Sequence, residues 1–141
     1  MSACTFFGHR DAPDSVLPSL TDAIERLIAT EDVTHFYVGT HGAFDRMAYH
    51  ALKQAKMQHP HIHINVVLAY MPTPRDDCYG EDSLLPEGIE TVPKRFAINY
   101  RNEWMLRHST HVISYVVRNF CGAARYVDLA RKQNKTIISL T

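Results

Sequence analysis

Residues 35–45 run His35-Phe36-Tyr37-Val38-Gly39-Thr40-His41-Gly42-Ala43-Phe44-Asp45. An apolar, β-prone run meets two glycines three apart, and a helical pattern then opens with an acid in its first turn. A strand that turns on glycine into a helix is how α/β proteins build a site for an anion. The backbone approaches the ligand closely at glycine, and the free N–H groups of the first helical turn point at it. The chain repeats the device at Gly8 and at Gly122.

The rest of the pattern agrees with that class. Cys4–Phe7, His35–Val38, Ile62–Tyr70, His111–Val117 and Thr136–Leu140 read as strands. In the third, Ile64–Ala69 is apolar but for Asn65, as in a strand covered on both faces. Leu17, Leu20, Ile24, Leu27 and Ile28 keep helical spacing. Asp14 or Ser15 can cap that helix, with Pro18 in its first turn. Helices also read over Ala43–Met57, over Arg101–His108 with a start as early as Phe96, and over Gly122–Gln133. Alternating strands and helices predict an α/β fold: a doubly wound, mainly parallel sheet of about five strands with helices on both faces. Met71–Pro93 breaks the rhythm with four prolines and two glycines. It reads as a long loop with a short element near Leu84, a length at which loops are usually functional or mobile.

With 141 residues, the expectation is one domain spanning 1–141. Fifteen basic residues balance fifteen acidic ones, which argues against duplex DNA as a partner, since that affinity rests on excess positive charge. Cys4, Cys78 and Cys121 are sparse, odd in number and without a CxxC, as in a reducing cytosol. No basic segment followed by a long apolar run marks a signal peptide, and no run is long enough to span a membrane. The expectation is a cytoplasmic protein with no membrane partner.

Ligands of such sheets bind beyond the carboxyl ends of the strands. There, Gly8-His9-Arg10 offers a guanidinium that can fork onto a phosphate or carboxylate. Gly39-Thr40-His41-Gly42 offers close backbone approach and a hydroxyl, with Asp45 to brace the loop or receive a ribose hydroxyl. Gly122 and Ala123 open a helix with small residues, and Arg101 can reach the same mouth. Cys121, near that helix start, reads as a small packing residue, since the sequence identifies no partner histidine. His59, His61 and His63 alternate, but they precede the third strand's apolar core, at the edge opposite the expected ligand side. No metal site is assigned to them.

Taken together, these motifs resemble the SLOG superfamily, and its short bacterial YpsA-like branch in particular. The strand into Gly8-His9-Arg10 is similar to that branch's opening "TGHR". Gly39 to Asp45 followed by Ala48 is similar to "GGA-x-G-x-D-x-x-A". Arg101-Asn102-x-x-Met105 with His108-Ser109, and Gly122-Ala123 opening a helix that ends in Ala130-Arg131-Lys132, complete the match over nearly the whole chain.

The resemblance implies a Rossmann-like fold that binds a nucleotide or nucleotide-derived small molecule, with no obligatory cofactor, and a homo-oligomer. Relatives include the Lonely Guy phosphoribohydrolases, which cleave a nucleoside monophosphate at its N-glycosidic bond, and DNA-processing proteins. The former's "RK-x-x-M" arginine corresponds to Arg101. Their "PGG-x-GT-x-x-E" motif falls across Phe120 to Tyr126, where the glutamate is absent and Tyr126 or its neighbour stands in its place. An N-glycosidase of this type would need Asp45 or Glu103, with Arg101, in catalytic roles. A protein-interaction role, with Met71–Pro93 as contact or lid, is the remaining alternative.

Overall fold

The structure is a computed structural model that describes residues 2–71, 82–119 and 121–141. Strand β1 (Ser2–Gly8) leads through a 3-10 turn at Asp14–Val16 into helix α1 (Leu17–Thr30), then β2 (Val33–Val38), α2 (Ala43–Gln58) and β3 (His63–Val67). A two-residue strand β4 (Ser83–Leu84) follows, then α3 (Ala97–Arg107), β5 (His111–Tyr115), α4 (Gly122–Lys132) and β6 (Thr136–Ser139). The strands form one parallel sheet in the order β4-β3-β2-β1-β5-β6. This is a Rossmann-like α/β architecture.

The alternation of side chains along β1 explains the two layers. Cys4 and Phe6 enter one core with Phe36, Leu20, Ile24, Leu52 and the inner faces of α1 and α2. Ala3 and Phe7 enter the other with Met105, Leu106, Tyr126 and Val127, from α3 and α4. A central strand apolar on both faces must be covered on both. Thr5, the polar residue between them, donates its hydroxyl to the carbonyl of Tyr37 at 3.0 Å.

Three local expectations change or narrow. The sheet has six strands, because Ser83–Leu84 pairs with Val66–Val67 and the Leu68 N–H donates to the Leu84 carbonyl at 2.8 Å. Neither Asp14 nor Ser15 caps α1: that stretch is a 3-10 turn, and α1 starts at Leu17 behind Val16 with no side-chain cap. Pro18 does lie in its first turn, where the missing N–H breaks no bond. Helix α3 begins at Ala97, matching the earlier of the two starts expected, near Phe96, and not the later one at Arg101, so Arg101 sits one turn inside it. The proposed lid or contact loop falls in part on residues 72–81, outside the described residues, as do Cys78 and Phe120. Among the described residues no helix is long and apolar enough to cross a membrane.

The chain leaves β1 in one direction through α1 to β2, and returns across the opposite face through α3 to β5 on β1's other side. Strand order therefore reverses between β1 and β5, and a crevice opens beyond their carboxyl ends.

Candidate functional site

A cleft of about 320 Å³ occupies that crevice. Its floor is Phe6, Phe7 and Gly8. His9 and Arg10 form one wall with His41 and Asp45, Asn99, Arg101 and Asn102 of α3 form a second, and Arg118, Cys121, Gly122, Ala123 and Tyr126 close the third. Of the residues singled out from sequence, Gly8, His9, Arg10, His41, Asp45, Arg101, Gly122 and Ala123 line this one cavity. Gly39, Thr40 and Gly42 stand behind its wall.

The reason is visible at each glycine. A Cβ on Gly8 would collide with the Phe44 ring. One on Gly39 would meet Asp45 Oδ2 at 2.8 Å and Arg101 Cζ at 3.1 Å. Gly42 has φ +100°, and its Cβ would lie 2.6 Å from Arg10 Cα. The Ala43 N–H at the start of α2 donates to the Arg10 carbonyl at 2.8 Å. The Gly39–Gly42 turn therefore packs against the chain's own backbone and side chains. Gly122 differs: among the described residues, a Cβ built there has no neighbour within 4 Å.

Arg101 is 2% exposed, although it was read as a residue reaching the mouth. Its Nη1 donates to Thr40 Oγ1 at 3.3 Å and to the Val67 carbonyl at 3.2 Å, and its Nε to Asn102 Oδ1 at 2.7 Å. Nη2 lies 3.2 Å from His41 Nδ1. A guanidinium only donates, so His41 Nδ1 accepts, and the neutral ring carries its proton on Nε2. Burial, followed by Arg101 and Arg10, lowers the His41 pKa. Thr40, whose hydroxyl was open to a ligand or to the loop, hydrogen-bonds within this clamp.

Asp45 is half-buried beneath the same loop, at the edge of the cleft, and its Oδ2 accepts the His41 N–H at 2.9 Å. Burial raises its pKa to about 6, against the opposing pull of Arg101, the His41 N–H and Arg10. Arg101 is shifted downward, first by burial, with Asp45 as its main support. No contact ion pair joins the two. They share a low-dielectric site in which each charge is costly.

Arg10 is exposed at the mouth, and no hydrogen bond or ion pair holds its guanidinium among the described residues. Arg118, by contrast, is engaged, donating from Nη1 and Nη2 to the two carboxylate oxygens of Asp11 at 3.1 and 2.8 Å. Glu103 does not line the cleft. Two residues past Arg101, it points about 200° round the helix and faces a neighbouring groove with Arg125 and Lys132. Tyr126 lines the cleft, stacks on Phe7 at 5.2 Å and donates to Asn99 Oδ1 at 2.6 Å.

Sequence reasoning passed over Asn99 and Arg118. Arg118 follows the fourth apolar run by one residue, at the end of the sheet where ligands bind, and that position was a usable signal. The histidines do not share a strand face. Only His63 lies in β3, while His59 caps the end of α2 with Nε2 2.8 Å from Glu25 Oε2.

No protein-family model matches the chain, and no curated protein sequence does. Among solved structures it is similar to the X-ray structure of DNA processing protein A (DprA) from Streptococcus pneumoniae, with a TM-score of 0.66 and 16% identity. The match covers 99% of this chain and 50% of that one, so this chain spans about half the length of the neighbour. The likeness shows a shared fold, a Rossmann-like α/β fold.

Proposed function

We propose that the chain binds a nucleotide or nucleotide-derived small molecule in the cleft between β1 and β5, as a sensor or ligand-binding module of the YpsA-like bacterial type. The observation that carries this reading is Gly122. Gly8, Gly39 and Gly42 each have an internal steric reason to be glycine, whereas a side chain on Gly122, at the start of α4, would meet none of the described residues. The Gly122 and Ala123 N–H groups have no partner among the described residues and stand at the positive end of the helix. A phosphate accepts from both. Arg10 is the uncommitted cation that neutralises it, and Asn99, Asn102 and Tyr126 supply polar groups for sugar or base. Small molecules released from freshly purified protein, analysed by mass spectrometry, test the reading. It expects a nucleotide-like species, and adenosine monophosphate (AMP) that fails to bind by calorimetry, together with no co-purifying nucleotide, counts against it.

One observation favours a second reading, nucleotide N-glycosidase. Asp45 is the carboxylate that lines the cleft, and its pKa of about 6 suits proton transfer near neutrality. Incubation with nucleoside monophosphates at pH 6, followed by chromatography for free base, decides it. Release of base that disappears in Asp45→Asn supports the enzyme, and no release at high protein concentration removes it.

A further inference from the structure

His9 uses both ring nitrogens, and its 4% exposure leaves it no water to exchange them for. Nε2 accepts the Val117 N–H at 2.9 Å and, at 3.4 Å, the Arg118 N–H. A nitrogen that accepts backbone N–H groups bears no proton, so the neutral ring carries its proton on Nδ1. Nδ1 lies 3.6 Å from Cys121 Sγ and donates to it. That sulfur is the cap of α4: it accepts the Ala124 N–H at 3.4 Å, while its own S–H lies 3.4 Å from the Arg118 carbonyl. One imidazole thus ties three segments together: the end of β1, the loop after β5 and the first turn of α4.

We infer that His9 is a positioning residue for the anion site at α4. As the neutral Nδ1–H tautomer it holds the loop after β5 directly and the first turn of α4 through Cys121. Protonation at Nε2 removes the loop's acceptor, and with it the support of the Arg118 carbonyl against which the Cys121 cap of α4 rests, while the Nδ1–H···Sγ contact itself persists. The inference rests on the nucleotide reading of the cleft. Its physical basis is donor geometry. An imidazolium would set Nε2–H against the Val117 N–H, donor against donor, at a buried position. The charged and titratable groups around the ring are Arg10 and Asp11 after it on the β1 loop, Tyr115 of β5 (edge to face, 5.8 Å), Arg118 of the following loop and Cys121 of α4. Burial and Arg118 favour the neutral ring, and together they lower its pKa. Asp11 opposes them, but both its oxygens are committed to Arg118.

The sign separates this role from simple attraction. A protonated histidine beside an anion would tighten binding in acid. A positioning histidine that loses its grip weakens binding as pH falls through its own pKa, which burial and Arg118 hold below the ordinary histidine value. The probe is adenosine 5′-sulfate, whose charge is constant from pH 5 to 8, titrated calorimetrically into the full chain. Wild type is expected to lose roughly tenfold in affinity from pH 7 to pH 5. His9→Gln keeps an acceptor for the Val117 N–H without titrating, and is expected to bind at the pH 7 level with no loss specific to acid. His9→Leu is expected to bind weakly throughout.

Without ligand, ¹⁵N NMR should show the Nδ1–H tautomer. Amide exchange at Val117 and Arg118 should accelerate in acid relative to His9→Gln at the same pH. An Nε2–H tautomer, or amides that ignore the titration of His9, overturns the inference. Amides that respond in a chain that binds neither the sulfate nor AMP at any pH keep the tie and remove the nucleotide reading.

Discussion

At Gly39–Gly42 the space left by missing side chains is filled from within: Asp45 and Arg101 close on Gly39, and the Arg10 backbone closes on Gly42 and takes the first free N–H of α2. At Gly122 no described residue fills the corresponding space, and the first residues of α4 line a cleft. Both are strand–glycine–helix turns at the same edge of the same sheet. One is a packing device that seats Asp45 and Arg101, and the other is the part proposed to receive a ligand. A glycine motif therefore marks a close approach without saying whether the partner is a ligand or the protein itself.

Substitution separates the two turns. The largest effect on stability is expected at Gly42→Val, where a positive φ and a backbone clash combine to cost about 3–5 kcal/mol in urea denaturation. A loss below about 1 kcal/mol would mean that the turn relaxes easily and that the contrast with Gly122 is false.

Asp45→Asn probes the carboxyl group under the same turn. The folded-state pKa lies above the ordinary 3.8, at about 6, so Asp45's contribution to stability is full below 3.8 and is lost as pH rises through 6. The loss amounts to up to about 3 kcal/mol. The stability of wild type relative to Asp45→Asn should therefore decline between pH 4 and pH 7. Parallel pH profiles for the two proteins would show that Asp45 is not held protonated by burial.

Arg10→Ala tests the open side. Loss of one charge-assisted contact should weaken AMP binding about 10- to 100-fold with little change in melting temperature. An unchanged affinity takes Arg10 out of the site.

The sheet and its helices were legible because their signals are periodic and local. The inner face of α2, from Phe44 through Ala55, follows directly from its spacing. Strand β4 was not, since two residues carry no period, and only a short element near Leu84 could be expected. At the site, the lining residues Gly8 to Arg10, Asp45 and Gly122 were legible from their position at strand ends. What each does there was not. Arg101 was expected to meet the ligand, but it lies one turn into α3, buried, holding Thr40 and His41. Glu103 was weighed as a catalytic group, yet helical rotation turns it into another groove. Cys121 was read as having no histidine partner, because His9 lies 112 residues away in the chain and only the β1–β5 adjacency brings them together.

The smallest effect on stability is expected at Gly122→Val, and it carries the central claim. Calorimetric titration of AMP into this variant, beside its denaturation curve, asks whether the open turn is the ligand's seat. The account predicts a fold within about 0.5 kcal/mol of wild type and no measurable binding. Wild-type affinity for AMP in a normally folded Gly122→Val protein would contradict it.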